Sequence, residues 1–71
     1  MPKFYSSSYI IRVLKQHGFL RVSQKGSHIK YRKFESPVIT VIIPANKKEI
    51  PIGTFKSILR QARLEEKNFE W

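Results

Sequence analysis

His28 is the residue whose type and setting best suit chemistry. It follows Lys25-Gly26-Ser27, and Lys30 and Arg32 come after it at two-residue spacing. Residues two apart in a β-strand point to the same face, so His28, Lys30 and Arg32 would share a surface. An imidazole titrates near neutral pH and neighbouring cations attract a polyanion, which favours proton transfer on a bound phosphodiester. The alternative interpretation is a tight hairpin turn followed by a solvent-exposed histidine without a chemical role.

Other catalytic groups are scarce in this sequence. The chain has no cysteine and no aspartate, and its five glutamates are scattered at positions 35, 49, 65, 66 and 70. The lack of cysteine excludes disulfides, thiolate metal sites and cysteine nucleophiles, and the glutamate spacing gives no sign of a carboxylate metal cluster. Ser27 and His28 are neighbours, so in a strand they point to opposite faces and do not form a nucleophile pair. His17 falls in the last turn of a predicted helix, where the helix dipole favours a positive charge, so a structural role is the better interpretation.

RNA fits these residues as a substrate because it carries its own nucleophile, the 2′-hydroxyl. A protein acting on RNA then needs a base to take that proton and cations to hold the phosphate. His28 can serve as the base, for a gain of about 10²–10⁴-fold. Lys25, Lys30 and Arg32 can hold the phosphate through charge-assisted hydrogen bonds.

A second candidate phosphate site lies later in the chain. The amides of Gly53 and Thr54 open a predicted helix, and Lys47 and Lys48 precede it. Helix N-termini bind anions through free N–H groups, although a plain helix start is an equally good interpretation. Lys56 begins a basic stripe on the outside of this helix, which the overall charge makes a candidate for RNA binding over a merely solvated face.

The charge balance indicates the class of partner. Fourteen Lys and Arg oppose five Glu in 71 residues, for a formal charge of +9. Nucleic acid is the first partner to consider, an acidic protein the second and a membrane surface the third. A hydrophobic content of 41% is typical of a globular chain, and we expect one domain over residues 1–71. No apolar run approaches the roughly 20 residues of a membrane span and the N-terminus lacks a signal-peptide pattern, so we expect a cytoplasmic protein.

The hydrophobic periodicity predicts the elements that position these residues. Helices are predicted at about 8–17 and 53–63, and strands near 20–24, 28–33 and 38–43. Short links between the strands favour an antiparallel meander. Residues expected to be buried are Ile10, Leu14, Leu20, Val22, Ile29, Tyr31, Phe55, Ile58 and Leu59.

The predicted fold class is α+β. Each helix has one apolar stripe and the three-stranded sheet has one face to cover, so both helices should lie on that face and leave the other open. The C-terminal stretch is expected either to add a short turn, with Phe69 and Trp71 packing it against the body, or to be frayed.

These segments, taken together, resemble a known family. The succession of a helix, a strand, Lys25-Gly26-Ser27-His28, two strands ending in Ile43-Pro44-Ala45, and a helix beginning Ile52-Gly53-Thr54 is similar to HicA toxins, also called YcfA-like. The resemblance covers nearly the whole chain. It implies a double-stranded-RNA-binding-like α-β-β-β-α fold, cleavage of mRNA without a bound cofactor, and neutralisation by a HicB antitoxin. It also implies that His28 is the active histidine, whereas Gly53 and Thr54 carry over only a helix start.

The chain departs from the family pattern at two positions. Asn46 stands where many members have a histidine after Pro-Ala, which puts any two-histidine mechanism in doubt. Arg63 stands where members commonly have glycine, so the second helix is expected to run on or end differently. Two other functions remain open at this point: an RNA-binding module of the same fold without catalysis, and an interaction protein that holds an acidic partner.

Overall fold

The computed structural model describes residues 5–69 and has the predicted α+β architecture. Its elements in chain order are α1 (Ser7–Gln16), β1 (Leu20–Lys25), β2 (His28–Lys33), β3 (Ile39–Pro44), α2 (Ile52–Ala62) and a 3-10 helix (Glu66–Phe69). The predicted order of helices and strands is confirmed, and each boundary lies within one residue of its predicted position.

The three strands form one antiparallel sheet in the order β1-β2-β3, with β2 in the centre. Gly26 and Ser27 alone join β1 to β2, because Lys25 pairs directly with His28. Gly26 has a φ of 60°, and a glycine with positive φ at the first central position marks a type II′ hairpin turn. The turn chemistry therefore fixes the register that places His28 at the start of β2.

Both helices cover a single face of this sheet. Ile29 pairs with Ile43 and Tyr31 pairs with Val41, so these four buried side chains share one face. Their partners in the core from the helices are Ile10, Val13 and Leu14 of α1 and Phe55, Ile58, Leu59 and Ala62 of α2. The predicted placement of both helices on one face is confirmed.

The prediction that Leu20 and Val22 are buried is wrong. Leu20 is 60% exposed and Val22 is 42% exposed. A β-bulge shifts the register between Arg21 and Ser23, so Arg21 rather than a neighbouring apolar residue lies opposite the buried Tyr31. A one-residue shift moves side chains to the other face, and Leu20 accordingly lies opposite Arg32 on the face without helices. The helices pack against β3, and every residue of the edge strand β1 remains exposed.

The C-terminal ends of both helices adopt left-handed backbone. Gly18 follows α1 with a φ of 92°, as its position predicts. Arg63 follows α2 with a φ of 58°, and the N–H of Leu64 donates to the carbonyl of Leu59 at 3.0 Å. This hydrogen bond is typical of a Schellman motif, so α2 ends at Ala62 although the glycine of the family pattern is missing.

The C-terminal segment packs against the core. Phe69 is fully buried, and its ring lies 5.3 Å from the ring of Phe55 in an edge-on arrangement. The hydroxyl of Tyr9 donates a hydrogen bond to the carbonyl of Phe69. The prediction that Phe69 packs this segment onto the body is confirmed, and Trp71 lies outside the described residues.

Candidate functional site

The face of the sheet without helices carries the candidate catalytic residue and most of its predicted neighbours. We call it the open face and define it by the register of the three strands. Its residues are Leu20, Ser23 and Lys25 of β1, His28, Lys30 and Arg32 of β2, and Thr40, Ile42 and Pro44 of β3. The two-residue spacing in β2 therefore brings a histidine and two cations onto one surface, as the sequence predicts.

His28 lies at one end of the open face and is exposed to solvent. Its cross-strand neighbours are Lys25 on one side and Pro44 on the other. Directly opposed residues in an antiparallel pair have Cβ atoms about 4.5–5.5 Å apart, so the Lys25 ammonium can reach a phosphate bound beside the imidazole. The adjoining backbone is tied down as well, since the N–H of Ala45 donates to the carbonyl of Ser27 at 2.7 Å.

Lys30 and Arg32 continue the basic surface along β2, at intervals of roughly 7 Å set by the rise of a strand. Both side chains are half-buried. Arg32 Nε donates to Thr40 Oγ1 at 3.1 Å, which orients the guanidinium across the sheet. None of the described residues of this face carries a carboxylate, so a phosphate bound to these strands meets their cations without a competing anion from the same residues.

Lys47 and Lys48 lie in the loop after β3, and both are exposed. The buried Ser7 holds this loop, because its hydroxyl donates to the carbonyl of Pro44 at 2.6 Å and accepts from the N–H of Lys47 at 3.0 Å. The N–H of Ser7 also donates to the carbonyl of Lys47 at 2.9 Å. The loop that carries these two lysines is therefore fixed to the start of α1.

Gly53, Thr54 and Lys56 lie in the first two turns of α2, and the structure separates them from His28. Helix α2 packs on the covered face, whereas the imidazole belongs to the open face. Pro51 precedes the helix and no side chain caps its first turn. The candidate site residues thus fall into three groups. One is the cluster around His28 on the open face. The second is the loop that carries Lys47 and Lys48, which we call the lysine loop, and the third is the uncapped start of α2 on the covered side of the sheet.

The model of the HicA toxin of bacterial toxin–antitoxin systems matches residues 7–64 of the 71 residues. The chain belongs to the HicA toxin family. A comparison with curated proteins gives no match. The region matched by the HicA family model includes His28, the lysine loop and the start of α2, so every candidate site residue lies within it.

In this HicA-family chain the structure adds Ser7 to the surroundings of the site, and it gives the backbone conformation of Asn46, which the family pattern had already singled out. Ser7 is one of three consecutive serines, and the pattern alone does not show which of them is buried. Asn46 has a left-handed φ of 58° in the lysine loop. Asparagine tolerates this conformation better than most residues, and its position after Pro44-Ala45 is the signal that sequence reasoning had available.

Within residues 5–69, no three His, Cys, Asp or Glu side chains are grouped so that they could hold a metal ion. None of the helices described is both long enough and apolar enough to cross a membrane.

Proposed function

We propose that this chain is an mRNA interferase, an endoribonuclease that works in the cytoplasm without a cofactor and uses His28 for proton transfer. The observation that carries the proposal is the open face itself, where an exposed imidazole lies opposite Lys25 and shares its surface with Lys30 and Arg32. Membership of the HicA toxin family supports the same conclusion.

The proposed reaction is an internal transfer at the RNA phosphate. The 2′-hydroxyl gives its proton to the neutral imidazole of His28, and the 2′-oxygen forms a bond to phosphorus. The bond from phosphorus to the 5′-oxygen of the next nucleotide breaks, and the imidazolium returns a proton to that oxygen. The products are a 2′,3′-cyclic phosphate and a 5′-hydroxyl, and no water or redox partner is consumed.

We attribute the binding of mRNA to cationic side chains around the reacting phosphate. Lys25, Lys30 and Arg32 stabilise the phosphate on the open face, where charge develops during the transfer. Lys47 and Lys48 hold the RNA backbone beyond it. Gly53, Thr54 and Lys56 form a separate contact with phosphates across the sheet, through the uncapped N–H groups and the ammonium of α2.

The proposed partner is a HicB-type antitoxin. A basic surface that must be silenced is best covered by an acidic or sterically blocking one, so we expect the antitoxin to dock over His28 and its neighbours. Hydrogen exchange of the complex should show protection at residues 25–32. A complex that leaves this segment as exchangeable as in the free chain, yet abolishes cleavage, would reject direct occlusion.

The experiment that tests the function is cleavage of RNA by the purified chain and by His28→Ala. The substitution should lower the cleavage rate by about 10²–10⁴-fold, because it removes one proton-transfer group. Since His28 is exposed, circular dichroism and melting should match those of the wild type. The wild-type products should carry cyclic phosphate ends.

The matched control is His17→Ala, which removes the chain's other histidine. His17 is the half-buried residue after the end of α1. Its backbone N–H donates to the carbonyls of Val13 and Leu14, and these hydrogen bonds do not require its side chain. This variant should cleave at the wild-type rate. A folded His28→Ala protein that cleaves at the wild-type rate would show that His28 is not catalytic, and a wild-type chain that binds RNA without cleaving it would favour the non-catalytic RNA-binding module.

A further inference from the structure

A groove of about 370 Å³ opens between the start of α1 and the lysine loop. We call it the α1 groove. Its volume falls within the range of small-ligand sites, about 300–1,000 Å³. The residues that matter for its chemistry are Ser8, Ile11, Ile29, Asn46, Lys47 and Lys48.

The walls of the α1 groove are fixed in place. On one side, Ser6 caps α1 by accepting a hydrogen bond from the N–H of Tyr9 at 3.1 Å. On the other side, the three hydrogen bonds of Ser7 with Pro44 and Lys47 hold the lysine loop. The N–H groups of Ser7 and Tyr9 are already used in these contacts, so a ligand would meet mainly side chains. A groove of this kind is formed before a ligand arrives, which lowers the cost of binding.

The lining combines the chemistry that a nucleotide requires. Ile11 and Ile29 provide an apolar wall for the face of a base. The Ser8 hydroxyl and the Asn46 amide provide donors and acceptors for its edge. Lys47 and Lys48 place positive charge at the groove for the attached phosphate, and none of the lining residues within 5–69 carries a carboxylate.

The groove lies at the same end of the sheet as His28. Asn46 follows Ala45, whose N–H donates to the carbonyl of Ser27 at 2.7 Å, and Ser27 precedes His28. Because Ile29 belongs to the covered face, the groove opens on the helix side of this end, whereas the imidazole belongs to the open face. A strand of RNA that places a phosphate at the imidazole would therefore reach the groove by passing around this end of the sheet.

We propose that the α1 groove binds an unstacked base of single-stranded RNA at the His28 end of the sheet and selects which base stands there. This proposal rests on the proposed ribonuclease function, because that function identifies the ligand as RNA. Single-stranded RNA is the substrate class because only an unpaired base can leave its stack and expose its edge to an amide and a hydroxyl. Asn46 is then a residue that determines specificity rather than a catalytic one.

Two variants test the groove without disturbing its frame. Asn46→Gly removes the amide and retains the left-handed backbone, since glycine adopts positive φ readily. Ser8→Leu fills the groove from an exposed position on α1. Gln16→Leu is the control, because Gln16 is an exposed polar residue of the same helix outside the groove.

The measurement is the affinity for short homopolymers of A, C, G and U with 2′-O-methyl groups, which block cleavage. The wild type should prefer one base over the weakest by about fivefold or more. Asn46→Gly should lose this preference, and Ser8→Leu should lose both the preference and about fivefold in affinity. Gln16→Leu should bind as the wild type does. Equal affinity for all four polymers in the wild type, or unchanged preferences in both groove variants, would overturn the proposal.

Mapping of cleavage sites in a natural mRNA separates this proposal from the proposed function. If the wild type cleaves and Asn46→Gly cuts at the same sites with the same frequencies, the groove proposal fails and the ribonuclease stands. If the wild type selects bases in the groove but neither the wild type nor His28→Ala cleaves RNA, the ribonuclease fails and the groove stands. If the groove variants lose antitoxin binding while RNA binding is unchanged, the groove belongs to a protein partner and the proposal is overturned.

Discussion

The two faces of the sheet share the same strands and have opposite properties. On β2, Ile29 and Tyr31 are buried beneath the helices, while the alternating residues His28, Lys30 and Arg32 belong to the open face. On β3, Val41 and Ile43 are fully buried and Ile42 is 36% exposed. Alternation along a strand thus places the residues of the core and the residues of the candidate site next to each other in sequence.

This separation has a consequence for how the chain tolerates change. Substitutions at the buried positions of β2 and β3 act on folding, whereas those at the intervening positions act on what the open face binds. The faces are linked at one end, where Ser7, on the helix side, holds the loop that adjoins Ser27 and His28. Substitutions on each face therefore measure how complete the separation is.

The largest effect on stability is expected at Ile43, and its neighbour Ile42 provides the comparison. Ile43→Ala should lower the free energy of unfolding by about 2–5 kcal/mol, because it leaves a cavity at a fully buried position. In a domain of this size, that loss corresponds to a fall in melting temperature of about 8 °C or more. Ile42→Ala removes the same atoms from the open face and should cost about 1 kcal/mol or less. Thermal and urea melts of both variants make the comparison, and similar losses would show that the open face also supports the fold.

The sequence predicted the two faces of β2 and failed on β1. In β2, apolar and polar side chains alternate, so the buried set follows directly from the pattern. In β3, nearly every side chain is apolar, so the pattern does not show which of them are buried. In β1, Leu20 and Val22 alternate equally well, yet the bulge after Arg21 and the position of this strand at the sheet edge leave both exposed. Neither a bulge nor the choice of strand that the helices cover is encoded in local periodicity, since both depend on how distant elements pack.

The second effect concerns the link between the faces. Ser7→Ala should lower the free energy of unfolding by about 1–3 kcal/mol, since the Pro44 carbonyl and the Lys47 N–H lose a partner at a buried site. Amide hydrogen exchange at Ala45 and Lys47 should accelerate, and RNA cleavage should fall at temperatures where the variant is folded. Ser23→Ala removes an exposed hydroxyl from β1 and should leave the melting temperature nearly unchanged. Wild-type cleavage by folded Ser7→Ala would show that the loop does not position the site.

The candidate site was predictable to the same extent as the strands that carry it. The placement of His28 with Lys30 and Arg32 follows from two-residue spacing, and the Lys25 contact follows from a glycine turn. The separation of Gly53 and Thr54 from His28 follows from the predicted placement of both helices on the face opposite to the imidazole. The role of Ser7 depends on contacts with residues about 40 positions away, which no local pattern reveals.

The third effect is a change in RNA affinity without a change in stability. Lys30→Gln removes one cation from the open face, so binding should weaken by about fivefold for all sequences alike. The slope of log affinity against log salt should fall by about one. Lys67→Gln removes an equal charge from the 3-10 helix, where the ammonium lies 3.6 Å from Glu65, and should change RNA affinity less. Equal losses for both variants would indicate that RNA responds to net charge rather than to the open face.

The smallest effect tests whether stability can rise while the open face stays unchanged. Arg63 has a φ of 58° at the end of α2, and left-handed backbone costs a non-glycine residue roughly 1–2 kcal/mol. Glycine avoids that cost but loses about 0.5–1 kcal/mol more backbone entropy on folding, so Arg63→Gly should stabilise the chain by about 0.5–1 kcal/mol. Arg60→Gly removes the same charge from the exposed interior of α2 and should destabilise by about 1 kcal/mol. Melting temperatures that move in opposite directions, with equal RNA cleavage by the two variants, would show that α2 sets stability independently of the open face. A lower melting temperature for Arg63→Gly would mean that the arginine side chain contributes more there than the strained backbone costs.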